Sequence, residues 1–324
     1  MKTKLYLTSL FSKDYLNQAI VMIDSFQLNH PKSLVHVLAL DHESHNCLVA
    51  YYGDQISITC LTESVKLYSE FQFWQTSRSK IEAIFTLKVF WLNQLMHILN
   101  SGDQILYSDA DQFFLREIPE LSEESWSLLL SPHYFPPTRE TMHNNGHYNA
   151  GLLALRVDNE ALKVMQWWRE QVLEFCGLDK SNGLYADQKY LDEFVKISPQ
   201  ARSFSDRGVN VGMWQINNSV KIMKKNFDYF INHNYLMSFH FHAFKIYKNY
   251  YKYGLIRYGI PFTSFYNLRL FYYEYTKKCD EVRMKLSSLG FVEFTSERNC
   301  RNNLISVLLK PLNLFDIRLR KINI

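Results

Sequence analysis

The chain has 324 residues, of which 47% are hydrophobic, and this composition excludes a disordered or repetitive protein and predicts a globular fold with a sizeable core. Its charge is unevenly placed, because residues 1–244 hold 21 basic and 26 acidic groups (net −5) and residues 245–278 hold 7 basic and 1 acidic (net +6). The acidic balance of the larger segment argues against nucleic-acid binding.

The N-terminus and the cysteines predict the compartment. The apolar start of the chain breaks at Ser12, Lys13 and Asp14 without a small-residue cleavage site, which indicates a strand and not a signal peptide. No run approaches the roughly 18 apolar residues of a membrane span. Five cysteines without a CxxC pair are typical of reduced thiols and do not indicate a zinc site. We therefore expect a cytoplasmic protein.

Apolar spacing predicts strands that alternate with helices. Strands are predicted over residues 5–10, 33–40, 55–61, 104–108, 127–131 and 150–156, and helices over 15–28, 80–99 and 159–176. Asn159 is the predicted N-cap of the last helix, and another helix is predicted to begin near Lys189. Strand, helix and strand at this pitch imply an α/β fold with a mostly parallel sheet.

Two carboxylates, Asp109 and Asp111, interrupt an apolar, strand-like run at residues 104–115. Buried acidic side chains are rarely left unpaired, and two of them one residue apart repel each other unless a cation lies between them. The pair therefore predicts a divalent ion, although capping of the following turn is the alternative.

Polar residues also follow the ends of other predicted strands. Thr8, Ser9 and Asp41 do so, and ligands of open parallel sheets bind beyond the carboxyl ends of the strands, so we expect these residues to share a rim with the Asp pair. For Asp41 a turn cap is an equal alternative. Neither GxGxxG nor a P-loop is present, so a nucleotide would have to be held by other means.

The last part of the chain has a different character. Residues 245–278 interleave 12 aromatic residues with the basic ones, and residues 301–324 carry 5 basic and 1 acidic residue among aliphatic ones. Tyrosine with Lys and Arg suits the headgroup zone of a membrane, which predicts peripheral contact through residues 246–324. A helical lid that packs its aromatics onto the main domain is the alternative.

Asp109-Ala110-Asp111 resembles the DxD motif of GT-A glycosyltransferases, the nucleotide-diphospho-sugar transferase superfamily, and specifically its family 8-like members. Segments that match in the right order span roughly residues 3–245; besides the DxD motif they are 7–10, 78–80, 148–153, 167–169, 186–192, 210–214 and 238–245. The resemblance implies a Rossmann-like catalytic domain over residues 1–245 and a helical, basic-aromatic extension over residues 246–324.

The resemblance also implies a metal site. Asp109 and Asp111 would bind Mn²⁺ or Mg²⁺, and His240 would be the third ligand. Alternation puts His240 and His242 on one strand face, and Ala243 stands where the family motif has Gly, so the choice between the two histidines stays open. Lys245 would meet the diphosphate. Because the ligand must be a neutral imidazole, activity should fall with acid.

Further residues would contact the sugar nucleotide. By the same resemblance Asp187 and Gln188 would lie beside the anomeric carbon, and Asn149 would contact sugar hydroxyls. Arg78 and Lys80 open a long helix, where positive charge could meet the diphosphate; as surface charges they would be unremarkable. A loop that only flanks the next helix is the alternative for Asp187 and Gln188.

These observations predict a metal-dependent hexosyltransferase that moves a sugar from a nucleotide donor, UDP-linked by expectation, to a glycan or lipid-linked acceptor. Retention of configuration and a role in surface polysaccharide or lipopolysaccharide assembly, peripheral at the inner face of the membrane, follow from the resemblance and the basic C-terminal segment. Two alternatives are a DxD-type phosphohydrolase with Asp109 as nucleophile, and a non-catalytic carbohydrate-binding protein on a GT-A scaffold.

Overall fold

The protein is described here by a computed structural model, which covers residues 3–255, 258, 260, 262–292 and 317–319. The helices are α1 (Leu16–Asn29), α2 (His42–Tyr52), α3 (Val65–Trp74), α4 (Lys80–Ile98), α5 (Asn159–Glu174), α6 (Leu191–Ile197) and α7 (Phe262–Ser288). The first nine strands are β1 (Leu5–Thr8), β2 (Leu10–Phe11), β3 (Leu34–Ala39), β4 (Ser57–Cys60), β5 (Gln104–Ser108), β6 (Gln112–Phe114), β7 (Leu128–Pro132), β8 (Tyr148–Arg156) and β9 (Ala201–Ser203).

Eight strands form a central sheet in the order β2-β3-β1-β5-β8-β7-β9, with β4 paired to β3. Pairs among β1 to β5 are parallel, whereas β8 runs antiparallel to both β5 and β7. Alternate residues of β5 belong to two core clusters: Leu106 packs with α1, and Ile105 and Tyr107 pack with α4 and α5. Helices therefore cover both faces, and the predicted α/β class is confirmed.

Local sequence explains where the flanking helices begin. Ser79 and Glu82 form a reciprocal capping box at the start of α4. At α5 the predicted N-cap is wrong: Asp158 is the cap, because its carboxylate accepts the amide of Ala161 (2.8 Å) and Asn159 is already helical.

Smaller sheets complete the fold. They are built from β10 (Val211–Gly212), β11 (Ile222–Lys225), β12 (Asp228–Ile231), β13 (Asn234–Tyr235), β14 (Ser238–His240), β15 (Lys245–Ile246), β16 (Tyr250–Lys252) and β17 (Ile317–Leu319). In the sheet β10-β14-β6, β14 runs antiparallel to β6 and pairs His240 with Gln112. This pairing brings the end of β14 to the loop that follows β5.

The C-terminal segment packs its aromatic residues inward. Tyr275 of α7 stacks on Phe241 with ring centroids 3.7 Å apart, and Tyr251 and Tyr253 are buried as well. The antiparallel sheet β15-β16-β17 accompanies the helix, so the extension is not purely helical. This packing favours the lid alternative, although residues 301–316 and 320–324 lie outside the described part. The division at residues 245/246 stays a prediction. Among the described helices, none is long and apolar enough to cross a membrane.

Candidate active site

Three side chains that can bind a metal converge after β5. Asp111 Oδ1 lies 3.0 Å and Asp109 Oδ2 3.8 Å from His240 Nε2. Asp111 and His240 are buried, whereas the side chain of Asp109 is 37% exposed. Tyr107 donates a hydrogen bond to Asp109 Oδ1 (2.7 Å), which leaves Oδ2 directed at the cluster. The structure thus places His240, rather than His242, beside both carboxylates.

Asp111 and His240 shift each other's pKa values. Burial would raise the pKa of Asp111, but the adjacent His240 imidazole, with smaller contributions from His242 and Lys245, holds it at about 2. Burial would lower the pKa of His240, but Asp111 and Asp109 outweigh burial and raise it above the usual value. The His240 imidazole is therefore the main source of positive charge beside Asp111, and Lys245 contributes less.

Gly151 makes this convergence possible. A Cβ at this position would lie 2.5 Å from His240 Cε1 and 2.8 Å from both Asp109 Oδ2 and Asn149 Oδ1. Its carbonyl accepts the amide of Asp109 (2.8 Å), which ties β8 to the loop that carries the carboxylates. The absence of a side chain at Gly151 therefore allows the backbone of β8 to approach the carboxylate and the imidazole closely.

Asn149 is held by four polar contacts. Its Nδ2 donates to Gln188 Oε1 and to His133 Nε2, both at 3.2 Å, and its Oδ1 accepts Asn210 Nδ2 (3.0 Å) and the amide of Gly151 (2.9 Å). These contacts orient Gln188, and burial keeps His133 neutral by lowering its pKa to about 3. These contacts join Asn149 to Gln188 and Gly151 in one polar network.

A buried ion pair lines the same pocket as Asp109 and His240. Lys88 of α4 is paired with Asp187, and both side chains are almost fully buried. Lys88 also donates to the carbonyl of Ala150 (3.2 Å), and Trp168 donates to the carbonyl of Asp187 (3.0 Å). Burial raises the pKa of Asp187, against the lowering effect of Lys88.

These groups surround a pocket of about 240 Å³. Its polar wall includes Lys88, Asp109, Asn149, Asp187, Gln188, His240 and His242, and its apolar wall includes Phe85, Phe135, Tyr185, Trp214 and Tyr258. The ring of Trp214 stands edge-on to His240, with centroids 5.2 Å apart. Side chains that can bind a metal, an amide, an ion pair and aromatic faces therefore line one cavity, which is a typical arrangement for a small-molecule site.

Other predicted site residues have structural partners outside this pocket. Thr8 bonds the carbonyl of His36 (2.6 Å) and accepts Trp91 Nε1 (2.8 Å), and Ser9 is buried. Asp41 is the N-cap of α2 and accepts the amides of Ser44 (2.7 Å) and Lys13 (2.9 Å).

Two of the three predicted cationic residues, Arg78 and Lys245, are hydrogen-bonded to other groups of the protein. Arg78 donates to Thr86 and to the carbonyl of Val172 (2.7 Å), whereas Lys80 is exposed. Lys245 Nζ donates to the hydroxyl of Tyr15 (2.6 Å), and His242 contacts the hydroxyl of Tyr258.

Sequence reasoning missed several residues of the site. Lys88, His133, Asn210 and Gln112 were not predicted, although Lys88 lies in an otherwise apolar stretch of a helix, where a buried lysine signals a partner. Gln112 Nε2 donates to Asn210 Oδ1 (2.5 Å), across 98 positions of sequence. A contact between residues so far apart in sequence cannot be predicted from the local sequence pattern.

No family model matches the sequence. Two proteins of Bacillus subtilis (strain 168) are similar to it: uncharacterized protein YfnF is 26% identical over 222 residues (65% of this chain, 72% of YfnF), and uncharacterized protein YfnD is 22% identical over 246 residues (74% and 78%).

Solved structures similar to this chain are glycosyltransferases, the class that the ordered motifs resemble. Galactosyltransferase LgtC in complex with donor and acceptor sugar analogs is 16% identical, with a TM-score of 0.44 over 64% of this chain and 75% of that chain. Mouse xyloside xylosyltransferase 1 is 16% identical, with a TM-score of 0.47 over 74% and 98%.

Proposed function

We propose that the protein is a metal-dependent glycosyltransferase that transfers a sugar from a nucleotide diphosphate, UDP by expectation, to a hydroxyl of a glycan or lipid-linked saccharide. The observation that carries the proposal is the convergence of Asp109, Asp111 and His240, since Asp109 and His240 line the same pocket as Asp187 and Gln188. A phosphohydrolase with Asp109 as nucleophile finds no support in this convergence, because Asp109 and Asp111 both point at an imidazole.

The donor set fits a hard divalent ion. Two carboxylates and one neutral imidazole suit Mn²⁺ or Mg²⁺, and three protein ligands leave coordination positions for phosphate oxygens. Because Gly151 has no side chain, Asp109 and His240 can approach each other closely enough to bind one ion. When bound, the ion would neutralise the charge that develops on the leaving diphosphate.

The chain's own residues would then orient the two sugars. Gln188, held by Asn149 and by the carbonyl of Asn145 (2.8 Å), presents a fixed amide beside the metal ligands. Lys88 neutralises Asp187, so this carboxylate is held in a position that is buried from solvent. Trp214 and Tyr185 offer aromatic faces to sugar rings. In the proposed reaction the bond from the anomeric carbon to the diphosphate oxygen breaks as an acceptor hydroxyl attacks from the same face. The hydroxyl gives its proton to the departing nucleoside diphosphate, and configuration is retained.

Membrane association in surface polysaccharide or lipopolysaccharide assembly belongs to the same proposal. It is supported by the net charge of +6 in residues 245–278, since basic surface residues are attracted to anionic lipids. Lys248 and Lys252 are exposed on this segment. Co-sedimentation with anionic vesicles, lost in the double variant Lys248→Ser/Lys252→Ser, would support contact, and equal sedimentation with neutral vesicles would remove it.

The enzymatic proposal is tested by release of free nucleoside diphosphate from UDP- and GDP-linked sugars, with Mn²⁺ or Mg²⁺ and with a chelator. We expect one donor to be hydrolysed slowly without acceptor, and Asp111→Asn to reduce release by about 100-fold or more, the usual size of a lost electrostatic contact to the transition state. Asp54→Asn, which changes an exposed aspartate elsewhere, is the matched control. Metal-independent release, or equal release from Asp111→Asn, would contradict the proposal.

A further inference from the structure

A second group of metal-ligating side chains lies at the carboxyl ends of β3 and β4, apart from the candidate active site. Cys60 ends β4 and is paired with Ala39 at the end of β3, and His42 opens α2 just beyond. Glu63 follows in the turn after β4. We propose that His42, Cys60 and Glu63 bind a divalent ion of the zinc class.

The distances between the donor atoms fit this ion. His42 Nδ1 lies 3.6 Å from Glu63 Oε1 and 3.7 Å from Cys60 Sγ, and the three atoms all lie within 4.8 Å of one another. Zinc bonds of about 2.3 Å to sulfur and about 2.0–2.1 Å to nitrogen or oxygen, at tetrahedral angles, separate N from O by roughly 3.3 Å and N from S by roughly 3.6 Å. The imidazole is therefore already at ligand spacing from both partners.

The second nitrogen of the imidazole is held as in known zinc sites. His42 Nε2 lies 2.9 Å from Thr62 Oγ1, and a ligating histidine commonly gives its other ring N–H to an oxygen acceptor. This contact leaves Nδ1 as the nitrogen that faces the thiol and the carboxylate. Thr62 Oγ1 also lies 3.1 Å from Cys60 Sγ, so one hydroxyl contacts both the imidazole and the thiol. A plain thiol–imidazole hydrogen bond would explain the Cys60 contact, but it does not explain the carboxylate of Glu63 3.6 Å from Nδ1.

The chemistry of the donors separates this site from the Asp109–Asp111–His240 cluster. A thiolate ligand selects zinc-class ions over Mg²⁺ and Mn²⁺. Cys60 is buried, while the side chains of His42 and Glu63 are each 60% exposed, so an ion can enter from solvent and keep a fourth position for water. None of the three residues lines the active-site pocket, and the inference does not rest on the proposed function. The sequence did not indicate a zinc site because it has no CxxC pair. The structure brings residues 42 and 60 together only through the parallel pairing of β3 and β4.

The test is a titration of the metal-free, reduced full-length protein with Co²⁺, which replaces zinc and gives a near-ultraviolet charge-transfer band when bound to a thiolate. We expect a saturable band that Zn²⁺ displaces and that Cys60→Ser abolishes. Thr62→Val should weaken Co²⁺ binding by about 10-fold or more, as loss of an outer partner does, and His42→Ala by more than that.

Two control variants keep the assignment falsifiable. Cys47→Ala removes a buried thiol outside the group, and Asp111→Asn disrupts the other metal cluster; both should keep the band unchanged. His42→Ala changes an exposed side chain, so circular dichroism can show that this variant folds even if Cys60→Ser does not. A wild-type protein without the band, or a band of equal affinity in His42→Ala and Glu63→Gln, would overturn the proposal.

Discussion

The pocket holds two sets of acidic side chains, and the protein neutralises them differently. Asp187 is paired with Lys88 in full burial, so its charge is balanced by the chain itself. Asp109 and Asp111 share the imidazole of His240 and have no lysine or arginine among their described ion pairs. The first arrangement balances its charge within the chain, whereas in the second two carboxylates face one imidazole. In the proposed function a divalent cation would supply the remaining positive charge of the second set.

The largest effect is expected from breaking the pair of Lys88 and Asp187. Lys88→Met leaves Asp187 buried without a counter-charge, so we expect the free energy of unfolding to fall by about 3–5 kcal/mol. The measurement is chemical denaturation at pH 7. Lys88→Met combined with Asp187→Leu removes both charges and should recover much of that loss. Equal losses in the single and double variants would show that packing, and not the uncompensated charge, is responsible.

A smaller effect is expected from disturbing the set of Asp109 and Asp111. In Gly151→Ala the new Cβ would displace His240 or Asp109, so the stabilisation by Mn²⁺ with UDP should disappear. That stabilisation amounts to about 2.7 kcal/mol at a ligand concentration 100 times Kd. The measurement is thermal unfolding with metal, with UDP and with both.

Gly53→Ala serves as the control for Gly151→Ala. Gly53 has a positive φ of 56° and nothing within 4 Å of an added Cβ, so its substitution strains the backbone far from the site. This variant should lose stability but keep the response to metal and nucleotide. A full response in Gly151→Ala would contradict the role given to this glycine.

The smallest effect concerns the polar network between the two sets. Burial lowers the pKa of His133 to about 3, so between about pH 6.5 and pH 3 the unfolded chain binds a proton at this residue that the folded chain does not. Stability must therefore fall as the pH falls through this window. Between pH 7 and pH 5 the wild type should lose about 2 kcal/mol more than His133→Asn, measured by denaturation at both pH values. Parallel pH profiles would show that His133 is not held neutral.

Much of the fold could be predicted because its signals are local. The strand 104–108 has the predicted ends, and α4 departs from the predicted range by one residue, since apolar periodicity and a capping box are read within a few positions. The cap of α5 was missed by one residue because Asp158 and Asn159 are both good N-caps and only the backbone distinguishes them. The DxD pair could also be recognised from local sequence, because two charged residues follow directly after a run of apolar residues.

The sequence by itself determined the α/β class, the three long helices α1, α4 and α5, and the strand that ends in the acidic pair Asp109 and Asp111. Only the tertiary structure decided that His240 and not His242 meets this pair, because the antiparallel pairing of β14 with β6 sets the register. It also decided that Lys88 neutralises Asp187 and that His42 meets Cys60. These contacts join residues that are 18 to 131 positions apart. The sequence around a charged or metal-binding side chain does not indicate which distant residue it will contact.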